Sequence, residues 1–382
     1  MSVDQSVSVA AKAVEMSVRV RGGALLDALA AVRPLVTRRA TASAGERGVR
    51  VSFGPDGGTL GVEAGGVSLR LRVPEMTAEA EGEVWLAHAD LNTAAGALAS
   101  RRGPRSRVEL VLEVGPEQVS LVGENSTSVL RPLSDVYVNP SLKVVPGTLV
   151  VDRAVFAERA AAVAIAAESG DTLPILAATR LDAYEMVATD RYRLASMPVT
   201  GSGDLDEVLP PASAFAKVLA ATVGDTVSIG GDEKVVSVHA DNLTASLLAQ
   251  FGDYPKLRAI VRGFGDGPAV RVSVAAVREV LAPYVRGHGH SNVALSLTAQ
   301  GFEAEVVDGK GHKVAQARIP VLEERGQVPP VFLNVGYFVD GLKIAGSEHV
   351  WLEIRDALKP IKIASNVDPD RYCVLQPVRR AG

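Results

Sequence analysis

The sequence predicts an α+β protein of three tandem domains, each with two helices packed on antiparallel sheets. Three observations carry that expectation. A short apolar strand followed at once by an amphipathic helix recurs along the chain, the stretches between these units alternate apolar and polar residues, and Gly and Pro clusters interrupt the pattern at two places. The strands are Val18-Arg19-Val20, Val84-Trp85-Leu86, Leu149-Val150-Val151, Val208-Leu209-Pro210, Val270-Arg271-Val272 and Val331-Phe332-Leu333, spaced by roughly 60 to 66 residues.

The helices that follow share a layout. Leu25, Leu29 and Val32 fall on one helical face, as do Leu91, Ala95 and Leu98; Phe215, Val218 and Leu219 make a stripe, and Val277, Val280, Leu281 and Tyr284 another. Val49 to Phe53, Val108 to Leu112, Val236 to Val238 and Val293 to Leu297 alternate in the manner of half-buried antiparallel strands. Helices on antiparallel sheets, two per domain, make an α+β architecture. Pairing the units places domains at 15–146, 147–268 and 269–382, with breaks at Pro140 to Pro146 and Gly263 to Pro268 and an N-terminal extension over 1–14.

A chain of 382 residues suits two or three domains, and 47% apolar with 22% charged residues is a globular composition. A single cysteine, Cys373, excludes a disulfide framework within the chain and fits a reducing cytoplasm. Met1 to Val14 has no charged segment leading into an apolar one, and the small-residue run Ala160 to Ala167 is far short of a membrane span, so the expectation is a cytoplasmic protein without a membrane partner.

The net charge of -4 argues against a protein that grips nucleic acid through its whole surface. Basic residues nevertheless sit on or beside every expected helix. Arg33, Arg38 and Arg39 follow the first; Arg101 and Arg102 end the second; Arg153 and Arg159 lie in the third; Lys217 lies in the fourth, Arg278 and Arg286 in or after the fifth, Lys343 in the sixth. Singly, such cations complement helix C-termini and solvate a face; as a set, they suit a positive inner wall.

The octet Ala188-Thr189-Asp190-Arg191-Tyr192-Arg193-Leu194-Ala195 joins an extended segment, Tyr184 to Thr189, to the apolar Leu194 to Met197. Asp190 is a turn former, so a tight loop between two strands is expected, exposing Thr189 and Arg193 beside Leu194. An apolar floor with a few fixed polar groups is what a peptide groove needs.

This octet resembles the A-T-D-x-x-R-L-A signature of the bacterial sliding clamp, the beta subunit of DNA polymerase III. Gly252-Asp253-Tyr254-Pro255, followed by Arg258 and Ile260, is similar to that family's G-x-[FY]-P-x-x-R segment, and Pro377-Val378-Arg379 to its terminal M-P-V-R. The resemblance implies three tandem clamp-type domains and a head-to-tail homodimeric ring that encircles double-stranded DNA without reading sequence. It implies no catalysis, cofactor or metal. Its implied partners are the DNA polymerase III alpha subunit, the clamp loader and other proteins bearing clamp-binding linear motifs. The matching groove positions are Leu176 on a strand, Thr189, Arg191, Tyr192, Arg193, Leu194, Pro255, Ile260, Pro360, Val374, Gln376, Val378 and Arg379; the implied dimer contacts are Ser128, Leu130, Val277 and Leu281.

Four departures accompany the match. Gln376 stands where the family has Met, Ala178 where it has Gly, Gly61 to Val67 lacks the A-T-D-L-E motif, and Ser128 aligns with an interface aromatic. They keep open a clamp-like adaptor, or a specialised inhibitor-resistance paralogue, that binds replication proteins without stable ring closure. A hydrolase or nuclease around Asp190 is the reading from another class, but one carboxylate without a metal cluster or base is not a site. No Walker A, G-x-G-x-x-G, G-x-S-x-G or H-E-x-x-H motif occurs, His288 and His290 lack a Cys or carboxylate partner at ligand spacing, and Cys373 reads as a core thiol.

Overall fold

Five of the six expected strand-to-helix junctions form in the computed structural model, which describes residues 16–37, 42–134, 136, 142–170, 173–257, 264–287 and 291–379, the side chains of 286 and 287 excepted. Met16–Arg21 leads into α1 (Gly22–Val32), Gly82–Ala87 into α2 (His88–Leu98) and Leu149–Asp152 into α3 (Arg153–Ala164). The fourth unit keeps its helix, α4 (Ala212–Ala220), but not its strand: Val208 makes one isolated bridge with Leu181. Pro210 and Pro211 carry no N–H to donate, so beyond Val208 the pairing is reduced to an isolated bridge of Pro211 with Ala178 and the bond from Thr179 N to Pro210 O at 2.9 Å. Ala269–Ser273 leads into α5 (Val274–Leu281) and Val331–Asn334 into α6 (Val335–Ala345).

Side chains fix three of these helix starts. Asp152 accepts the N–H of Val155 at 2.8 Å, Ser273 that of Ala276 at 3.4 Å and Asn334 that of Tyr337 at 3.0 Å. Each such cap contributes about 1 kcal/mol. The apolar stripes read from the sequence are buried on α1, α2 and α4; on α5 Val277 and Leu281 are buried and Val280 is half-buried, while Tyr284, also half-buried, lies past its end in the short helix Pro283–Gly287. Fully burying one such side chain stabilises by about 1.5–3 kcal/mol.

The chain packs as two compact units. The first comprises Met1–Val144 with Ala220–Gly224 and Ser237–Leu247. Its five-stranded antiparallel sheet runs Thr77–Ala78, Met16–Arg21, Glu109–Val114, Val119–Val122, Thr127–Leu130. Beside it, Leu243–Leu248 pairs with Val67–Val73, which continues through Gly57–Ala64 and Gly48–Gly54 to Gly82–Ala87. Gly22 opens α1 because an added Cβ would lie 2.3 Å from that of Ala99.

The second unit comprises Val145–Leu219, Asp225–Val236 and Leu248–Gly382. Its eight-stranded sheet runs Arg180–Leu181, Glu185–Thr189, Arg193–Pro198, Tyr372–Leu375, Ile361–Ser365, His349–Glu353, Ala269–Ser273, Val321–Arg325. The unit also holds a four-stranded sheet, Lys313–Ile319, Gly301–Val307, Asn292–Thr298, Val331–Asn334, together with α3, α5 and α6 and the strands Gly201–Gly203, Leu149–Asp152 and Thr226–Gly231, paired in that order. No helix among the described residues is long and apolar enough to cross a membrane.

Helix α6 stops at Gly346, whose φ is 61°, and an added Cβ there would lie 1.9 Å from the Arg371 guanidinium. Arg371 cannot yield freely, since it donates to Ile344 O at 2.8 Å and to Glu158 at 2.7 and 2.8 Å. Gly346→Ala is therefore expected to lower the unfolding free energy in urea by about 1–2 kcal/mol. Gly96→Ala, inside α2 with no atom within 4 Å of its added Cβ, is expected to raise it by about 0.5–1 kcal/mol.

Candidate peptide-binding site

The strands Glu185–Thr189 and Arg193–Pro198 pair antiparallel with Thr189 opposite Leu194, and the octet's middle residues close the hairpin. Asp190 Oδ1 accepts the N–H groups of Tyr192 and Arg193, both at 2.9 Å. Thr189 donates its hydroxyl to Arg193 O at 2.7 Å and accepts from Arg191 N at 3.1 Å. The turn leaves Arg191 at φ 77°, a conformation uncommon for a residue with a Cβ.

These bonds correct one expectation. Thr189 and Arg193 are not exposed: Thr189 is 4% accessible and the Arg193 side chain 12%, because the turn and its ion pairs use their polar groups internally. Arg191 and Tyr192 occupy the exposed tip instead. Arg193 Nε donates to Asp190 Oδ2 at 3.1 Å and Nη1 to Asp340 Oδ2 of α6 at 2.6 Å, while its guanidinium lies 4.6 Å from the centre of the Tyr337 ring. Tyr192 stacks on Tyr337 with ring centres 6.0 Å apart.

Val187, Leu194 and Val374, from three neighbouring strands, form a buried apolar cluster with Leu257, Phe264 and Tyr372 packed against it. Ala178, Leu209 and Tyr254 form a second, against which Ile175 and Leu257 pack. A groove of about 1200 Å³ opens here. Of the expected residues, Leu194 and Pro255 line it, and Val374 lies in the cluster beneath.

The other expected positions fall as follows. Leu176 is buried, but on a 3-10 turn, Pro174–Ala177, rather than a strand, since Pro174 presets the φ of the turn's first residue. Gln376 is exposed beside the hairpin tip, donating its N–H to Tyr192 O at 2.8 Å and its side-chain amide to Leu358 O at 3.3 Å. Pro360 is half-buried, Val378 donates its N–H to Phe332 O at 2.8 Å, Arg379 is exposed, and none of the three lines the groove. Ile260 lies outside the described residues.

Sequence reasoning missed Val187, Ser196, Arg180, Glu185 and Tyr372, which also line the groove, and Tyr337, which backs the loop. Extending the two-residue period backward from Thr189 and forward from Leu194 gives Val187, Glu185 and Ser196. Tyr337 and Tyr372 had no local signal, being brought there by long-range pairing.

No family model matches the chain. A beta sliding clamp of Micrococcus luteus is 31% identical to it over 219 residues, 52% of this chain and 68% of the relative. The chain belongs to the beta sliding clamp family. A beta sliding clamp of Streptomyces coelicolor is 25% identical over 303 residues, 74% of this chain and 80% of the relative. The solved beta subunit from the DNA polymerase of Streptococcus pyogenes shares the fold, with a TM-score of 0.81 at 17% identity, covering 95% of this chain and 100% of that one. The three-domain α+β clamp fold is thus the fold of this chain.

Set against the clamp family's expected channel and interface, the described cations divide in two. Arg33, Arg102, Lys217 and Arg278 are exposed. Arg101 pairs with Asp27 at 2.6 Å and Lys343 with Asp340 at 2.7 Å, both still accessible. Arg153 is half-buried, and Arg159 is committed to Pro198 O at 2.6 Å and Asp368 at 3.1 Å with 15% of its side chain accessible. Arg38 and Arg39, the Arg286 side chain, His288 and His290 lie outside the described residues. The interface expectation needs correction at the side chains: those of Leu130, Val277 and Leu281 pack into their own chain's core, with the residues 6%, 1% and 0% accessible. On the edge strand Thr127–Leu130, Ser128 is half-buried and Val129, 62% accessible, is the exposed apolar residue.

Cys373 is fully buried in the strand behind the floor, and burial pushes its thiol up to about 12, against the pull of Arg193. At pH 8 only about one molecule in ten thousand carries the thiolate, the reactive form. Ellman's reagent is expected to leave the native protein unlabelled at pH 8 over hours and to label one thiol per chain after unfolding in guanidinium; fast native labelling would contradict the burial.

Proposed function

We propose that the chain works as a DNA sliding clamp: a head-to-tail dimeric ring around duplex DNA that tethers polymerase and other DNA-processing proteins by short peptides seated in its groove, in the bacterial cytoplasm and without chemistry of its own. The observation that carries the reading is the hairpin, whose signature residues build the turn and whose next residue, Leu194, enters the apolar end of an open groove. Three domains at 15–146, 147–268 and 269–382 are the division we adopt. Tethering acts through effective concentration: a polymerase held by its tail rebinds the primer end before it diffuses away.

The exposed cations Arg33, Arg102, Lys217 and Arg278 are assigned to the channel, where they meet phosphates and read no bases. Ring closure is assigned to two sheet edges. Thr127–Leu130 pairs only with Val119–Val122, and Lys313–Ile319 only with Gly301–Val307, among the described residues. An open edge is a template for another strand, and Val129 of one chain supplies an apolar contact to its partner.

An adaptor without ring closure is favoured by one feature, the small Ser128 on that edge. Molar mass separates the readings: light scattering of the full chain is expected to give about twice 39.9 kDa, and a monomer at micromolar concentration refutes encirclement. Leu194→Ala combined with Leu257→Ala is expected to weaken a labelled polymerase-tail peptide at least about tenfold with an unchanged circular dichroism spectrum. Unaltered affinity refutes the groove assignment.

A further inference from the structure

The groove is apolar at one end only. Along Glu185–Thr189, residues 185, 187 and 189 share a face, and across the ladder Val187 stands opposite Ser196 and Arg180, while Glu185 stands opposite Pro198. The floor made by Val187, Leu194 and Val374 lies toward the hairpin tip. Two residues away from the tip, the same face becomes charged.

The centre of that charged arm is Arg180. Its Nη1 lies 3.3 Å from Asp182 Oδ2 and 3.3 Å from Glu207 Oε2, and its Nη2 pairs with Glu185. Burial pulls the guanidinium pKa down, yet Glu185, Asp182 and Glu207 outweigh burial and raise it. Three carboxylates around one cation leave an excess of negative charge. Glu207 is 53% accessible, and the exposed Asp253 and Asp370 extend the excess along the rim, where Lys256 is the other lining cation.

The apolar end is shaped by Tyr254, which is 8% accessible and lines the groove with its hydroxyl buried beside the Thr189 backbone. The occupant is therefore set by charge complementarity at one end and by apolar contact at the other.

We propose that this groove selects peptides carrying a lysine or arginine, seated against Glu185 and Glu207, next to an apolar residue seated on Val187, Leu194 and Val374. The proposal rests on the peptide-groove reading and adds the charge preference to it. The spacing follows from the sheet. Strand residues rise about 3.3 Å each, so Glu185 lies about 7 Å along the face from Val187, the reach of two residues in an extended peptide. An acidic residue at that peptide position meets like charge and is rejected.

The test uses the full-length protein and three fluorescein-labelled synthetic peptides of otherwise identical sequence, each with a leucine as its apolar anchor and differing only in Lys, Ala or Glu two positions from it. Fluorescence anisotropy is expected to rank Lys above Ala by about fivefold and Ala above Glu, with the Lys preference narrowing as salt rises. In the variant Glu207→Gln with Asp253→Asn, both exposed and so tolerant of substitution, the Lys-to-Ala ratio is expected to fall below about twofold. Equal affinity of all three peptides for the unsubstituted protein overturns the proposal while leaving the groove reading intact. A fivefold preference that survives in the variant overturns the assignment to this arm. Failure of all three peptides to bind defeats the groove reading and this inference with it.

Discussion

The Arg193 guanidinium sits between two carboxylates, Asp190 of its own loop and Asp340 of α6, and over the face of Tyr337 from that helix. With 12% of the side chain accessible, these pairs are screened less than surface pairs, and removing the arginine would strip its charge from the buried Asp190 and leave Asp340 to Lys343. Asp190 is also the residue that closes the turn, accepting two backbone N–H groups. Turn geometry and helix position are therefore coupled through one side chain, and the residue after it, Leu194, takes its place in the floor as a consequence. Arg371 repeats the device at the other end of α6, joining Ile344 O to Glu158 of α3.

Both faces of the hairpin are in use. Met186, Ala188, Ala195 and Met197, on the face opposite the groove, are all fully buried, so the sheet is anchored from behind. The groove face is covered more thinly, by Leu257, Phe264 and Tyr372. Near it, Phe251 and Tyr184 stand 90% and 79% accessible, large apolar surface that a monomeric protein rarely leaves bare without a partner. A peptide laid over Leu194 therefore gains from covering these aromatics as well as from the floor, and the rigidity of the sheet means that little ordering opposes it.

How much of this was legible depends on the range of the interaction. The helices α1, α2 and α4 and their stripes were readable because burial at a helical period is a local signal, and Asp190 was readable as a turn former because its bonds reach only two and three residues ahead. The error over Thr189 and Arg193 has one cause. A polar residue in a loop reads as exposed, whereas here the loop's own backbone and the distant Asp340 satisfy it. Leu130, Val277 and Leu281 failed similarly, since an aligned position names a neighbourhood and not the direction in which a side chain points. Arg180 had no signal of its own, because the three carboxylates that hold it come from separate strands and loops.

An acidic chain that handles DNA must keep its phosphate contacts loose. In the proposed channel, each cation already engaged with a carboxylate, as Arg101 is with Asp27 and Lys343 with Asp340, must exchange that partner for a phosphate, so it contributes less than a free one. Fewer full contacts mean fewer counterions released and a shallow dependence on salt. Loose contact is compatible with long residence only if the hold is topological. On the proposed assignment, closure through the sheet edges sets how long the ring stays, and the groove, remote in mechanism from the phosphates, sets what it carries. The acidic arm fits this division: a negative groove wall repels the DNA backbone and attracts a basic peptide, so the two ligands do not compete for one surface.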